Sequence, residues 1–115
     1  MNYDLEERTT KFSVSLINLC KVVKVTMVNE NIIKQVLRSG TSVGANYREA
    51  NGATSKTDFK FKIHICKKEA NETMYWLGLL GNEVDVRQKG LVEKLWQENK
   101  ELLLIFSKIA SVSKL

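Results

Sequence analysis

The chain has 115 residues, of which 43% are hydrophobic and 27% are charged, a composition that excludes a disordered chain and allows one globular domain with a modest core. It contains no proline, which favours long uninterrupted helices because proline breaks a helix interior. The charged start does not resemble a signal peptide, and no apolar run approaches the ~20 residues that span a bilayer. We therefore expect one soluble cytoplasmic domain over residues 1–115, without a membrane partner.

The first predicted helix covers roughly residues 5–26. Its core positions are separated alternately by four and three residues, which is the spacing of a coiled-coil seam. These positions are Leu5, Thr9, Phe12, Leu16, Leu19 and Val23. The sequence VNEN that follows predicts a break, with Asn29 or Asn31 as the N-cap of the next helix.

The second predicted helix begins near Glu30 and keeps the same spacing through a stretch that contains glycines. Gly40 and Gly44 are four residues apart and therefore lie on one face of this helix. Each glycine costs up to ~1 kcal/mol relative to alanine in a helix, so we interpret the pair as a place where a neighbouring helix comes very close. Gly52 is predicted to end the helix in the left-handed conformation.

The third predicted helix spans about residues 56–80, with Ser55 or Thr57 as its N-cap. Its seam consists of Phe59, Ile63, Cys66, Ala70, Thr73, Leu77 and Leu80. A turn-like segment precedes the fourth predicted helix, at about residues 91–111, whose apolar positions are Leu91, Leu95, Leu102, Phe106 and Ile109. Short turns between four such helices predict an all-α, antiparallel up-down-up-down four-helix bundle.

No combination of residues predicts a catalytic centre or a metal site. His64 is the only histidine, and one histidine cannot hold a metal ion. Cys20 and Cys66 lie within helical patterns and are interpreted as buried apolar side chains. We therefore expect a non-enzymatic protein that requires no cofactor. Three carboxylates are interpreted as interhelical salt-bridge partners of Arg38 or Arg48: Glu49, Glu69 and Glu72.

The net charge of +5 is unevenly distributed along the chain. Residues 1–33 are neutral overall, residues 34–68 carry eight basic and two acidic side chains, and residues 69–115 have a net charge of −1. This positive middle third predicts a polyanionic partner such as RNA or DNA. A solvated helix face that carries lysines for solubility accounts for it equally well.

The basic surface is expected mainly on the third helix. At about 100° per residue, one narrow band of that helix contains Lys56, Lys60, His64 and Lys67, with Lys68 at its border. Such a band can neutralise several backbone phosphates, and it would discriminate little between sequences. The candidate nucleic-acid-binding residues are Arg38, Arg48, Lys56, Lys60, Lys67 and Lys68.

Tyr75 and Trp76 are neighbours in the third helix, with Trp96 in the fourth. Adjacent residues point about 100° apart, so one of the first two must point away from the core. Tyrosine and tryptophan are enriched at protein interfaces. With the glycine-lined helix faces, this favours self-association, and a single exposed aromatic side chain is the alternative.

Three segments carry a family resemblance: SVGANYREA at residues 42–50, SKTDF at residues 55–59 and KEANETMYWLGLL at residues 68–80. Together with the helix pattern, they make residues 12–109 similar to the bacterial four-helix-bundle proteins first known from intervening sequences in large-subunit ribosomal RNA genes. That family is in turn similar to the accessory variability protein of diversity-generating retroelements.

The resemblance implies a barrel-like homopentamer whose basic surface binds nucleic acid and, in the retroelement relative, engages a reverse transcriptase. By position, Arg38, Arg48 and Lys60 would be basic contacts, whereas Asn46 and Glu49 would be structural polar groups between helices. The expected function is thus non-specific RNA or DNA binding by a homo-oligomer, in a retroelement or beside a ribosomal RNA insertion. The alternative is a protein–protein scaffold whose oligomer is the functional unit.

Overall fold

The computed structural model describes residues 4–112, and the regular secondary structure of that range is entirely helical. Helix α1 spans Leu5–Val22, α2 spans Glu30–Asn51, α3 spans Lys56–Leu80 and α4 spans Val86–Val112. Consecutive helices pack against each other and α1 also contacts α4, which confirms the predicted all-α four-helix bundle. In the described part of the chain, no helix combines the length and apolarity that crossing a membrane requires.

The core follows the predicted seams of α1 and α3 closely. All the predicted seam positions of the first helix are buried, and those of α3 are buried except Phe59, which packs half-buried against the core. Fully buried side chains at the centre of the bundle include Leu16, Ile63, Leu77 and Phe106. Burial of these apolar surfaces is the main force that stabilises the bundle.

Helix α4 differs from its prediction in both its start and its seam. It begins at Val86 and not near residue 91, because Asp85 accepts a hydrogen bond from the backbone N–H of Gln88 at 2.8 Å and thus caps the helix. The observed seam consists of Val92, Leu95, Asn99, Leu102, Phe106 and Ala110. Two predicted seam residues therefore lie outside it, the exposed Leu91 and the half-buried Ile109.

A buried asparagine organises the turn between α1 and α2. Helix α1 ends at Val22, before the predicted residue 26. Oδ1 of Asn29 accepts from the backbone N–H of Thr26 at 2.7 Å, and its Nδ2 donates to the backbone carbonyl of Lys24 at 3.0 Å. Asn29 thus holds the predicted N-cap position of α2, but its side chain bonds to the turn and not to the helix.

Replacing Asn29 with alanine is expected to lower the free energy of unfolding by about 1–2 kcal/mol, because two part-buried backbone groups lose their partners. Asn31→Ala is the matched control, since Asn31 is exposed in the first turn of α2, and its effect should stay within about 0.5 kcal/mol. Urea denaturation followed by circular dichroism measures both variants. Equal losses for the two would contradict the role given to Asn29.

The turn between α2 and α3 departs from the prediction in one respect. Gly52 follows α2 with φ −99° and ψ 9°, so the predicted left-handed conformation is wrong. Its backbone N–H instead approaches the carbonyls of Arg48 and Glu49 at 3.3 and 3.2 Å, as in a helix whose last turn tightens. Ser55 caps α3 as predicted, because its Oγ accepts from the backbone N–H of Asp58 at 3.1 Å.

The glycine pair of α2 lies where α1 packs tightly against α2. A Cβ placed on Gly40 would lie 2.1 Å from Cδ1 of Leu16, and one on Gly44 would lie 3.2 Å from Cβ of Thr9. Both neighbours belong to α1, and both glycines lie inside the continuous helix α2. The prediction of a close-packed helix, as opposed to a ligand-binding loop, is therefore confirmed.

One polar side chain interrupts the apolar seam of α4. Nδ2 of Asn99 donates to the backbone carbonyl of Ala70 in α3 at 2.8 Å. Its Oδ1 is buried and has no hydrogen-bond partner within residues 4–112. A buried amide oxygen without a partner lowers stability.

Both cysteines are free thiols. Cys66 is fully buried, as predicted, whereas Cys20 is half-buried at the edge of the core. Burial raises the pKa of Cys20 to about 11 and that of Cys66 to about 12. The reactive thiolate form is therefore rare at neutral pH.

Candidate nucleic-acid interface

Helix α3 orients the predicted basic band towards solvent. Its buried residues Ile63, Cys66 and Ala70 face the core and so fix the rotation of the helix about its axis. We call four residues on the solvent-facing side the lysine ridge: Lys56, Lys60, Lys67 and Lys68. Lys60 is half-buried, the other three are exposed, and His64 is exposed between them.

No member of the lysine ridge forms an ion pair with a carboxylate in the part of the chain that the structure describes. Lys62, which belongs to the same helix, differs because its Nζ lies 2.6 Å from Oε1 of Glu49. Ion pairs therefore leave the charge of the ridge intact, although Lys68 lies within coulombic reach of Glu72, one helical turn away. Clustered cations of this kind produce a positive surface potential.

The ridge borders a groove between α3 and α4 with a volume of about 530 Å³. Its walls are formed by His64, Lys67 and Lys68 of α3 and by Leu103, Leu104 and Ser107 of α4. The α4 wall was not predicted from the sequence. The run of apolar residues 102–105 signals it, because consecutive helical residues cannot all face one core, and Leu104 is indeed 60% exposed.

Arg38 of α2 contacts the flank of α3 that bears Glu69 and Glu72. Its guanidinium donates to Glu69 at 3.2 Å and to Glu72, which confirms two of the predicted salt bridges. Glu69 points about 200° from Lys67, whereas Glu72 lies one helical turn from Lys68 and within reach of its charge. Trp76 reinforces the cluster, because its Nε1 donates to Glu72 at 2.9 Å.

Arg48 and Glu49 take different partners from those predicted. Nη1 of Arg48 lies 3.9 Å from Oε2 of Glu6 in α1, with the arginine side chain 78% exposed. Glu49 instead pairs with Lys62 of α3, so its predicted pairing with Arg38 or Arg48 is wrong. The physical reason is that adjacent helical residues point about 100° apart, and Glu49 therefore faces α3 while Arg48 faces α1.

The predicted binding residues thus divide into separate groups. Lys56, Lys60, Lys67 and Lys68 share one helix, whereas Arg38 and Arg48 contact carboxylates elsewhere. The helical period of α3 predicted the lysine group correctly, because the relative directions of residues on one helix do not depend on the neighbouring helices. The positions of the arginines depend on how α2 sits between α1 and α3.

The resemblance assigns Asn46 and Glu49 to contacts between helices, and only Glu49 makes such a contact. Glu49 bridges α2 and α3 through Lys62, which fits a structural role between helices. Asn46 instead donates from Nδ2 to the backbone carbonyl of Ser42 at 2.8 Å and to its Oγ at 2.9 Å. These bonds lie within α2, so they stabilise no contact between helices.

Of the neighbouring Tyr75 and Trp76 in α3, one points away from the core, as predicted. Tyr75 is 61% exposed and contacts the ring of Trp76 edge-on, with 5.0 Å between the ring centroids. Trp76 is half-buried, as is Trp96, over which Nζ of Lys100 lies 5.6 Å from the ring centroid. The exposed Tyr75 therefore offers an apolar contact next to a rigid neighbour.

Among residues 4–112, no three histidine, cysteine, aspartate or glutamate side chains lie together in a way that could hold a metal ion. The lysine ridge places ammonium groups beside the groove between α3 and α4. Such groups bind anions by charge and hydrogen bonding.

Comparison with known proteins gives the family. A model of the 23S rRNA-intervening sequence protein matches residues 1–108, and no curated protein matches. A crystal structure of a protein of unknown function from the S23 ribosomal protein family of Bacteroides thetaiotaomicron is 39% identical, with a TM-score of 0.75, over 91% of this chain and 96% of that chain. Because the family model covers nearly its whole length, the chain belongs to the 23S rRNA-intervening sequence protein family.

Proposed function

We propose that this protein is a non-enzymatic homo-oligomer that binds RNA or DNA through the lysine ridge of α3, with little sequence preference. The observation that carries the proposal is the absence of ion pairs at four clustered lysines within residues 4–112, while the nearby arginines are paired. Two settings fit such a protein. One is beside an insertion in ribosomal RNA, and the other is a retroelement, with a reverse transcriptase as partner.

The dimensions of the ridge suit a phosphate backbone. With a rise of about 1.5 Å per residue, the helix segment from Lys56 to Lys68 is ~18 Å long. A strand of B-DNA places one phosphate every ~3.4 Å, so the ridge spans several phosphates. No aromatic residue stands between Lys56, Lys60 and Lys67, and the exposed Phe61 lies at the border of the band, beside Lys68. The contacts would therefore be mainly to phosphates and would carry little base information.

Self-association would strengthen this binding. We propose that copies of the chain assemble into a ring, a pentamer by resemblance, and that Tyr75 contributes to the contact between copies. Its exposure of 61% supports this role, because tyrosine is enriched at protein interfaces. Several ridges on one assembly would bind one nucleic acid molecule more tightly than a single ridge does.

The double variant Lys67→Glu and Lys68→Glu tests the proposal. We expect at least a ~10-fold loss of affinity at low salt, because two phosphate contacts are replaced by repulsion. Fluorescence anisotropy with a labelled RNA and a labelled DNA duplex, titrated at several salt concentrations, provides the measurement. The logarithm of the association constant should fall linearly with the logarithm of the salt concentration, and the slope should be shallower for the variant.

The matched control is the double variant Lys21→Glu and Lys24→Glu, which changes the net charge equally. These exposed lysines lie at the C-terminal end of α1 and in the following turn, away from the ridge. Since charges farther than a Debye length of ~10 Å are screened at about 0.1 M salt, the control should lose less than ~3-fold. Equal losses for both double variants, or no salt-dependent binding by the unmodified protein, would overturn the proposal.

A protein–protein scaffold is the second candidate function. The exposed Tyr75 next to Trp76 favours it, because this aromatic contact needs no nucleic acid. Light scattering of the purified protein distinguishes the two functions when combined with the binding assay. A stable oligomer that binds neither RNA nor DNA at low salt would support the scaffold.

A further inference from the structure

The groove between α3 and α4 combines cations, polar side chains and an apolar wall in a small volume. Its α3 wall is one face of that helix, because the lining residues are spaced as i, i+3, i+4 and i+7: His64, Lys67, Lys68 and Asn71. Leu103, Leu104 and Ser107 form the α4 wall. We call this the α3–α4 groove. Its volume of about 530 Å³ is that of a site for one small ligand.

The lining of the groove favours a negatively charged ligand. No carboxylate of residues 4–112 lines it, whereas Lys67 and Lys68 both do and neither forms an ion pair in that range. Lys108 adds a third unpaired cation on the α4 side, one helical turn from Leu104. Positive charge therefore borders the groove on both helices.

Acidic residues near the groove are engaged elsewhere. Glu72 lies four residues after Lys68 and Glu101 three residues before Leu104, and each belongs to a cluster of one arginine and two carboxylates with a net charge of −1. The clusters consist of Arg38 with Glu69 and Glu72, and of Arg8 with Glu98 and Glu101. Four lysines in or beside the groove without ion pairs in residues 4–112 outweigh these two negative charges: Lys60, Lys67, Lys68 and Lys108.

The groove also offers hydrogen bonds and an apolar surface. The side chains of Asn71 and Ser107 line it and form no hydrogen bond with any other group of residues 4–112. An amide and a hydroxyl can each donate and accept, as the edges of nucleobases do. Leu104 is 60% exposed, so a flat apolar group placed on it would gain hydrophobic free energy.

We propose that the α3–α4 groove holds one unpaired nucleotide of the bound RNA or DNA, an inference that rests on the proposed function. The base packs on Leu104, its edge bonds to Asn71 or Ser107, and the adjacent phosphates contact Lys67 and Lys68. A paired base cannot enter, because it is stacked inside its duplex. Every base has an apolar face, so the groove selects an unpaired nucleotide without selecting its identity.

Three labelled RNA hairpins test the inference with the full chain. One has a fully paired stem, the second has a single bulged uridine in that stem, and the third has an abasic nucleotide in place of the uridine. The last two carry the same phosphates and differ only in the base. In anisotropy titrations at about 0.1 M salt, the uridine bulge should bind at least ~5-fold more tightly than the abasic bulge.

Leu104→Ala and Asn71→Ala should each reduce this preference to less than ~2-fold, because they remove the apolar surface and a hydrogen-bonding group. The matched controls are Leu91→Ala and Asn31→Ala, which change the same residue types at exposed positions outside the groove. Both should keep the preference within ~2-fold of its unmodified value. Circular dichroism verifies that every variant is folded.

The outcomes separate this inference from the proposed function. Equal affinity for the uridine and abasic bulges, with salt-dependent binding of all three hairpins, would overturn the inference and leave binding by the lysine ridge intact. Equal loss of the preference in the control variants would overturn the assignment to this groove. If none of the hairpins binds at low salt, the proposed function and the inference both fail.

Discussion

Valine in place of Gly40 is expected to lower the free energy of unfolding by about 3 kcal/mol. A Cβ at this position would lie 2.1 Å from Cδ1 of Leu16 and 3.6 Å from Cγ2 of Thr73. Leu16 is fully buried, so it cannot move aside without displacing other core side chains. Overpacking of this kind costs typically ~1–3 kcal/mol, and valine adds two methyl groups beyond the Cβ that already meets Leu16.

Alanine substitutions distinguish the effect of packing at Gly40 on stability from the effect of helix propensity. Gly78 and Gly90 are matched controls, because both lie inside helices and an added Cβ would meet nothing within 4 Å. Alanine at either position should raise the free energy of unfolding by about 0.5–1 kcal/mol. Gly40→Ala should not gain this stability, since its contact with Leu16 opposes the gain. Urea denaturation measures all variants, and equal stabilisation at Gly40 and Gly90 would contradict a tight helix contact.

A double variant tests whether Leu16 is the neighbour responsible. Leu16→Ala alone should cost about 2–5 kcal/mol, because it leaves a cavity in the core. In the double variant Leu16→Ala with Gly40→Val, the new side chain fills part of that cavity. The combined loss should therefore fall below the sum of the single losses by at least ~1 kcal/mol. Additive losses would place the clash elsewhere.

Arg38→Met is expected to lower the free energy of unfolding by about 2–3 kcal/mol. It leaves Glu69, whose side chain is only 11% exposed, and Glu72 without their shared cation. Removing one partner of a fully buried pair costs ~3–5 kcal/mol, and the smaller value reflects the 47% exposure of the Arg38 side chain. Arg48→Met is the control, because its pair with Glu6 is long and exposed, and it should change stability by less than about 0.5 kcal/mol.

Acidification should remove much of the difference between Arg38→Met and the unmodified protein. The indole of Trp76, and then the guanidinium of Arg38, hold the pKa of Glu72 below its ordinary value. A carboxyl with a lowered folded-state pKa stabilises the protein above its unfolded-state pKa, and this contribution is lost as the pH falls through the folded-state value. Urea denaturation at pH 7 and at about pH 3 measures the effect. A difference that persists unchanged at the lower pH would show that the charge of Glu72 is not involved.

The seams of α1 and α3 could be predicted from the sequence because their core positions are mostly apolar and regularly spaced. The seam of α4 could not, since the buried positions include the polar Asn99 and the small Ala110, whereas the larger apolar neighbour Ile109 is only half-buried. Gly90 favoured the late predicted start of α4, because glycine is typical of turns. It lies inside α4 in the structure. Local pattern identifies a helix, whereas its ends and rotation depend on tertiary contacts.

Candidate surfaces that lie on one helix could likewise be predicted, and those made by two helices could not. The lysine ridge needs only the rotation of α3, which its seam defines. The partners of Arg38 and Arg48 depend on the neighbours of α2. The groove between α1 and α4, which Lys11 and Lys94 line, joins residues about 80 positions apart in the sequence, and no helical period relates them.

Asn99 favours one longitudinal alignment of α4 on α3 over the alternatives. Leucine-rich seams tolerate sliding by a heptad, because each leucine finds a similar hole after the slip. The amide of Asn99 reaches one carbonyl, that of Ala70, and after a slip this bond would be lost. The residue thus lowers the stability of the bundle but makes a single longitudinal setting of α4 on α3 the most favourable one. In that alignment Lys67 and Leu104 line the same groove. The single alignment of the two helices and the geometry of this groove therefore both depend on Asn99.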